Sequence, residues 1–135
     1  MKENLAILGS TGSIGTNTLE VISKHKDKYK VFALSANSSV DLLLSQCQKF
    51  EPNFVHISDS NHLKEIKISL EKLNLSTQII SGSSELNELV GNEKVDTVVC
   101  GISGSAGLES SLQAVKSGKK ILLANKEPLV MCGSL

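Results

Sequence analysis

Short apolar segments alternate with stretches of helical periodicity along almost the whole chain, and this alternation restricts the fold more than any other feature. Apolar runs typical of strands lie at 4–8, 31–34, 53–57, 78–80, 95–100 and 120–124. Between them the spacing of apolar residues predicts helices at 13–24, 40–50, 60–73, 84–90 and 104–117. Strands that alternate with helices of this length indicate an α/β fold, a doubly wound, mostly parallel sheet with helices on both faces.

The composition excludes several functional classes. The 135 residues suffice for one domain, and 14 basic and 14 acidic residues cancel, so no basic field is available for nucleic acid. No apolar run approaches the roughly 20 residues that span a membrane. The three cysteines are widely spaced and form no CxxC pair, which is typical of thiols in a reducing compartment. We therefore expect a cytoplasmic protein that binds neither nucleic acid nor membrane.

Residues 8–15, LGSTGSIG, place three glycines at a three-residue repeat between the first strand and the first helix. Glycines in this context allow a tight turn and let the backbone approach an anion, and the helix N-terminus attracts a phosphate. Thr11 and Ser13 add hydroxyl donors beside those amides. The motif predicts a cradle for the pyrophosphate of a dinucleotide, and the alternative is a structural corner without a ligand.

The segment after the second strand bears on which dinucleotide binds. An acidic residue about twenty positions beyond the glycine turn holds the ribose 2′-hydroxyl of NAD in many such proteins. Here the segment contains Asn37, Ser38 and Ser39, and the first carboxylate is Asp41, inside the next helix. The missing acid favours NADP, although the usual Arg or Lys is missing as well. Alternatively, these three residues only cap the second helix.

Asn125, Lys126 and Glu127 follow the sixth strand and are expected at the same sheet edge as the glycine turn. Such residues orient a ribose or bind an anionic substrate, and the alternative is a solvated charged loop. A loop of small residues at 101–107 follows the fifth strand and permits close approach to a cofactor. His56 and His62 are six residues apart across a strand-to-loop junction rather than on one helix face, and no third ligand has suitable spacing, so we expect no metal site there.

Together, GSTGSIG, the loop GISGSAGL and the run KKILLANKEPLVMCG resemble the 1-deoxy-D-xylulose 5-phosphate reductoisomerase family. The resemblance covers residues 4–135 and matches only the N-terminal, NADPH-binding part of that family, whose members are about three times as long. It implies a Rossmann-like domain over residues 1–135, with the catalytic and metal-binding domain absent from this chain. The whole enzyme would be a homodimer that uses NADPH and a divalent metal (Mg, Mn or Co) to isomerise and reduce its sugar phosphate. The product is 2-C-methyl-D-erythritol 4-phosphate, for isoprene biosynthesis.

The resemblance also implies residue roles. Thr11, Gly12, Ser13 and Ile14 would contact the NADPH pyrophosphate and neighbouring groups, Asn125 and Glu127 would contact NADPH, and Lys126 would contact the substrate. The family commonly has Gly, a basic residue and Asn where this chain has Asn37, Ser38 and Ser39, so the basic clamp for the 2′-phosphate is absent. No catalytic residue or metal ligand is expected in this fragment, which should bind NADPH without turnover.

Other functions stay open at the level of the residues alone. A short-chain dehydrogenase needs a Tyr-x-x-x-Lys pair, but Tyr29 is followed four residues later by Ala33. A semialdehyde dehydrogenase needs a nucleophilic cysteine near mid-chain, and Cys100 at the end of an apolar strand is a poor candidate. A non-catalytic module that senses a nucleotide would use the glycine turn and have no need of Lys126.

Overall fold

The computed structural model describes residues 2–102, 104–123 and 130–132, with side chains at 2–102 and 109–122. The strands in chain order are Glu3–Leu8 (β1), Tyr29–Ala36 (β2), Phe54–Ile57 (β3), Gln78–Ser81 (β4), Thr97–Cys100 (β5), Lys120–Leu123 (β6) and Val130–Cys132 (β7). The helices are Ser13–Ser23 (α1), Val40–Phe50 (α2), Leu63–Lys72 (α3), Ser83–Val90 (α4) and Gly104–Lys116 (α5).

The seven described strands form one sheet in the order β4-β3-β2-β1-β5-β6-β7. Strands β1 to β6 run parallel, and β7 pairs antiparallel with β6. Strands β2, β3 and β4 lie on one side of β1, and strands β5, β6 and β7 lie on the other. The order therefore reverses between β1 and β5, which is the topology of a doubly wound, Rossmann-like fold.

The two faces of the sheet carry separate hydrophobic clusters because successive side chains of a strand point to opposite faces. Leu5 and Ile7 of β1 belong to the cluster that packs against α1, α2 and α3. Ala6 and Leu8 belong to the cluster that contains the buried apolar residues of α4 and Ala114 of α5. Helices thus cover both faces, and the predicted fold class is confirmed.

The sequence pattern located the elements closely but missed some details. The predicted helix at 60–73 begins as a 3-10 turn, Ser60–His62, because the Asp59 carboxylate accepts from the Asn61 amide and shapes a tighter first turn. Strand β2 extends beyond the predicted 31–34 at both ends. The sequence analysis did not predict β7, since three residues are too few to show a strand alternation.

Candidate functional site

The glycine turn leaves the carboxyl end of the central strand and is held by the neighbouring strand. Gly9 has φ of +76°, a conformation that side chains disfavour. The amides of Gly9 and Ser10 both donate to the Ser35 carbonyl of β2, at 2.8 and 2.9 Å. The Gly12 amide donates to the Gly9 carbonyl at 3.1 Å and closes the turn. These three hydrogen bonds within the protein therefore fix the backbone of the turn without the help of a ligand.

Two of the three glycines are required by packing. A Cβ at Gly15 would lie 2.3 Å from the Gly9 carbonyl oxygen and 2.5 Å from the Ser10 Cα. A Cβ at Gly9 would lie 3.0 Å from the carbonyl carbon and oxygen of Gly101. At Gly12 the nearest atom would be 3.5 Å away, which is an ordinary contact. The middle glycine, which is exposed, thus leaves free space at the start of α1.

The N-terminus of α1 suits an anionic group. Gly12 is the N-cap residue, no side chain caps the helix, and its first turn contains no acidic residue. The first intrahelical bond joins the Thr16 amide to the Gly12 carbonyl at 2.9 Å. The amides of Ser13, Ile14 and Gly15 have no intrahelical acceptor and lie at the positive end of the helix dipole.

The loop after β5 meets the glycine turn. The Gly101 amide donates to the Leu8 carbonyl at 2.8 Å, and Gly9 packs against Gly101. These loops follow β1 and β5, the two strands between which the sheet order reverses. Open α/β sheets bind ligands in the crevice at this point, so the predicted glycine turn lies where the fold places a ligand site.

The corner between β2 and α2, residues 37–39, lies at the same edge and consists of exposed polar residues. Ser39 occupies the N-cap position of α2 without a side-chain hydrogen bond to the helix. A recess beside the corner is lined by Ser38, Ser39, Val40, Asp41, Leu42, His62 and Glu65. Among these described lining residues none is Lys or Arg. His62 lies 3.6 Å from the Asp59 carboxylate and 3.3 Å from that of Glu65.

Sequence reasoning missed a buried histidine behind the turn. His56 is 2% exposed, and its two ring nitrogens lie 3.0 Å from the Ser35 hydroxyl and 2.9 Å from the Gly82 carbonyl. Because a carbonyl only accepts, Nε2 carries the proton and Nδ1 accepts from the Ser35 hydroxyl. Burial lowers the pKa of His56, partly opposed by the Gly82 bond and the Glu85 charge. Ser35 therefore contacts both groups: its carbonyl accepts from the glycine turn, and its hydroxyl donates to the neutral imidazole of His56.

The structure brings together part of the predicted site. Thr11, Gly12, Ser13 and Ile14 lie at the end of β1, and the corner 37–39 lies at the end of the adjacent parallel β2. Asn125, Lys126 and Glu127 lie outside the described residues. Within 2–102 and 109–122, no three His, Cys, Asp or Glu side chains are grouped so that they could hold a metal ion. None of the described helices is long and apolar enough to cross a membrane.

Comparison with known proteins gives one consistent result. The family model for 1-deoxy-D-xylulose 5-phosphate reductoisomerase matches residues 5–133. The reductoisomerase of Saccharophagus degradans is 47% identical over 133 residues, which are 98% of this chain and 34% of that protein. The reductoisomerase of a Shewanella species is 49% identical over 133 residues, 98% of this chain and 33% of that protein. The chain thus spans about a third of the length of the curated relatives it matches.

Solved structures agree with the sequence relatives. A DOX-P reductoisomerase crystallised with NADPH, fosmidomycin and magnesium is 44% identical, with a TM-score of 0.87 over 93% of this chain and 30% of that one. The Zymomonas mobilis reductoisomerase in complex with NADPH is 32% identical, with a TM-score of 0.85 over 93% of this chain and 32% of that one.

Proposed function

The chain belongs to the 1-deoxy-D-xylulose 5-phosphate reductoisomerase family, and from this we propose that residues 1–135 are its NADPH-binding domain. The observation that carries the proposal is the glycine turn, whose uncapped helix start lies where the strand order reverses. The whole protein would isomerise 1-deoxy-D-xylulose 5-phosphate and reduce it to 2-C-methyl-D-erythritol 4-phosphate. Its divalent metal would be held by residues outside this chain.

The glycine turn is the proposed pyrophosphate site. Thr11, Gly12, Ser13 and Ile14 offer amides and two hydroxyls around an exposed glycine, and no acidic residue opposes an anion in the first turn of α1. Their role in this chain is to bind and orient the dinucleotide, which supplies a hydride when bound. The exposed Gly12 matters here because it lets the phosphate oxygens approach the backbone amides.

The corner at 37–39 is the proposed site for the adenosine ribose and its 2′-phosphate. Asn37, Ser38 and Ser39 offer neutral hydrogen-bond donors, and no Lys or Arg is among the described residues that line the adjacent recess. We therefore expect a weaker preference for NADPH over NADH than a basic clamp would give. The roles of Asn125 and Glu127 toward NADPH, and of Lys126 toward the sugar phosphate, stay predictions from the family resemblance.

A charge placed at the start of α1 tests the site directly. In Ser13→Asp, a carboxylate at the helix N-terminus repels pyrophosphate, although the same charge interacts favourably with the helix dipole and preserves the fold. We expect the Kd for NADPH, measured by isothermal titration calorimetry, to rise about tenfold or more, since a lost charge-assisted contact is worth about 1.5–3 kcal/mol. Thermal unfolding of the variant should occur no lower than that of the unsubstituted chain.

Asn17→Asp is the matched control, because it adds the same charge to an exposed position one turn further along α1. Its NADPH affinity should stay within about twofold of the unsubstituted chain, since a dipole or charge effect fades within the first turn. No binding of NADPH by the unsubstituted chain, or equal affinity in Ser13→Asp, would refute the proposed site.

A second test asks whether this chain alone binds NADPH without catalysing the reaction. We expect the 135-residue chain to bind NADPH without converting the sugar phosphate, because no group that could hold the metal lies among its described side chains. NADPH oxidation at 340 nm, followed with the chain alone and substrate present, measures this. Turnover by the chain alone would contradict the assignment. The homodimeric state of the whole enzyme and its cytoplasmic location stay predictions.

A further inference from the structure

A glutamine of α2 reaches into the glycine turn, and neither the motif nor the proposed site accounts for it. Gln46 is 7% exposed and donates from Nε2 to the Ser10 carbonyl at 2.8 Å. Ser10 itself is fully buried, and its amide donates to the Ser35 carbonyl. Ser10 is therefore held on one side by β2 and on the other by α2.

The Ser10 carbonyl determines where the next amide points. A trans peptide is planar, so its C=O and the N–H of the following residue point in opposite directions. Because Gln46 holds the Ser10 carbonyl toward α2, the Thr11 N–H points away from α2. No acceptor for this N–H lies among the described residues. Thr11 lies within the turn and immediately precedes Gly12, the N-cap of α1.

Gln46 lowers the stability of the fold at its buried position. Its own Oε1 and the neighbouring Ser10 hydroxyl are both buried without a hydrogen-bond partner among the described residues. An unsatisfied buried acceptor destabilises the folded state, whereas an apolar side chain of similar size would carry no such penalty. Within the part of the chain that the structure describes, the one hydrogen bond of the Gln46 side chain is that to the Ser10 carbonyl, which orients the turn.

We propose that Gln46 is a positioning residue for the dinucleotide, which holds the Ser10 carbonyl so that the Thr11 amide faces the pyrophosphate. The proposal rests on the proposed function, because it assigns a ligand to that amide. The helix that carries Gln46 also begins directly after the corner at 37–39. One helix thus contacts the pyrophosphate half of the site through its middle and adjoins the adenosine half at its start.

The test compares two ligands that use different parts of the site. Gln46→Met keeps the length of the side chain and removes the donor. We expect its Kd for NADPH to rise about tenfold, as expected for one lost hydrogen bond to a charged group. Its Kd for adenosine 2′-monophosphate, which lacks the pyrophosphate, should stay within about twofold. A general displacement of α2 would weaken both ligands alike and would overturn the proposal.

A second variant keeps the proposal testable if Gln46→Met fails to fold. In Gln46→Glu an ionised carboxylate cannot donate to Ser10, but the protonated acid can. The NADPH Kd of this variant, divided by that of the unsubstituted chain at the same pH, should fall as the pH is lowered from 8 to 5.5. A ratio that is independent of pH contradicts a donor role. If the unsubstituted chain fails to bind NADPH at all, the proposed function fails, whereas unchanged binding in both variants removes only the role of Gln46.

Discussion

The glycine turn after β1 and the polar corner after β2 lie at the ends of adjacent parallel strands, yet they are built in opposite ways. The turn is fixed by two amides on the Ser35 carbonyl, by the Gln46 amide and by glycine contacts with backbone atoms. The corner is exposed, and its N-cap residue Ser39 makes no side-chain bond to the helix that it begins. One region is determined by backbone geometry and the other by the choice of side chains.

This difference separates affinity from selectivity. Pyrophosphate is common to NADPH and NADH, so the backbone amides of the proposed cradle would bind both dinucleotides alike. The 2′-phosphate distinguishes the two dinucleotides, and at the proposed site it would meet the side chains of the corner and of the adjacent recess. We therefore expect changes in the turn to affect stability and overall affinity, and changes in the corner to affect only the preference between the two dinucleotides.

The largest expected effect comes from the rigid region. Gly15→Ala would put a Cβ 2.3 Å from the Gly9 carbonyl oxygen, and all three nearest atoms are backbone, so the turn itself must move. Alanine normally favours a helix over glycine, so any loss must come from this contact. We expect the free energy of unfolding, measured by urea titration, to fall by about 3 kcal/mol.

Gly12→Ala is the control, because its Cβ would meet no atom closer than 3.5 Å and the residue has φ of −78°. Its free energy of unfolding should fall by no more than about 1 kcal/mol, the cost of replacing an N-cap glycine by the less favourable alanine. Equal losses in the two variants would mean that the turn is not packed as described, and the contrast between the two regions would disappear.

A smaller effect is expected behind the turn, at His56. In His56→Leu the Ser35 hydroxyl and the Gly82 carbonyl lose their imidazole partner, so we expect a loss of about 2 kcal/mol in the free energy of unfolding at pH 7. Urea unfolding measures the loss. His25→Gln, at an exposed position, should change it by less than about 0.5 kcal/mol.

The same histidine predicts a dependence on pH. Burial lowers the pKa of His56 below its ordinary value of 6.5, so the unfolded chain binds the proton more readily than the folded one. Stability contributed by the neutral imidazole is present above pH 6.5 and is lost as the pH falls below it. Between pH 7.5 and 5.5 the unsubstituted chain should therefore lose more stability than His56→Leu. Parallel pH profiles would exclude a neutral buried imidazole in the folded state.

The contrast between the regions also explains what the sequence could and could not predict. The glycine turn was recognisable because its tightest constraint is local: a Cβ at Gly15 would meet backbone atoms of Gly9 and Ser10, which belong to the same short motif. Gln46 binds Ser10 of the turn across 36 residues of sequence, and His56 binds Ser35, which holds the turn, across 21 residues, so no local spacing marks either side chain. Both looked like ordinary members of a strand and a helix, and only the packing of β3 and α2 beside β2 and the turn gives them partners.

The corner should respond to a single added charge. Ser38→Arg supplies the cation that the described lining of the recess lacks, and a guanidinium binds phosphate through paired hydrogen bonds. We expect the ratio of the NADH Kd to the NADPH Kd to rise about tenfold, with the NADH Kd itself nearly unchanged. Ser38→Gln, which adds length and donors without charge, should shift the ratio by less than about threefold. A rise in affinity for both dinucleotides would place this residue near a group that they share.

The smallest expected effect tests whether the acids of the recess also act on selectivity. Glu65 lies beside His62, and Glu65→Gln removes one negative charge near the proposed 2′-phosphate position. Because the carboxylate is 58% exposed, water and salt screen it, and we expect the NADPH Kd to fall only about twofold, with NADH unaffected. Glu71→Gln, later on the same helix and also exposed, should change neither Kd, and 0.5 M salt should abolish the effect at Glu65. A larger effect than that of Ser38→Arg would mean that repulsion by the acidic residues, and not the absence of a basic residue, limits the preference for NADPH. The corner would then disfavour the 2′-phosphate actively.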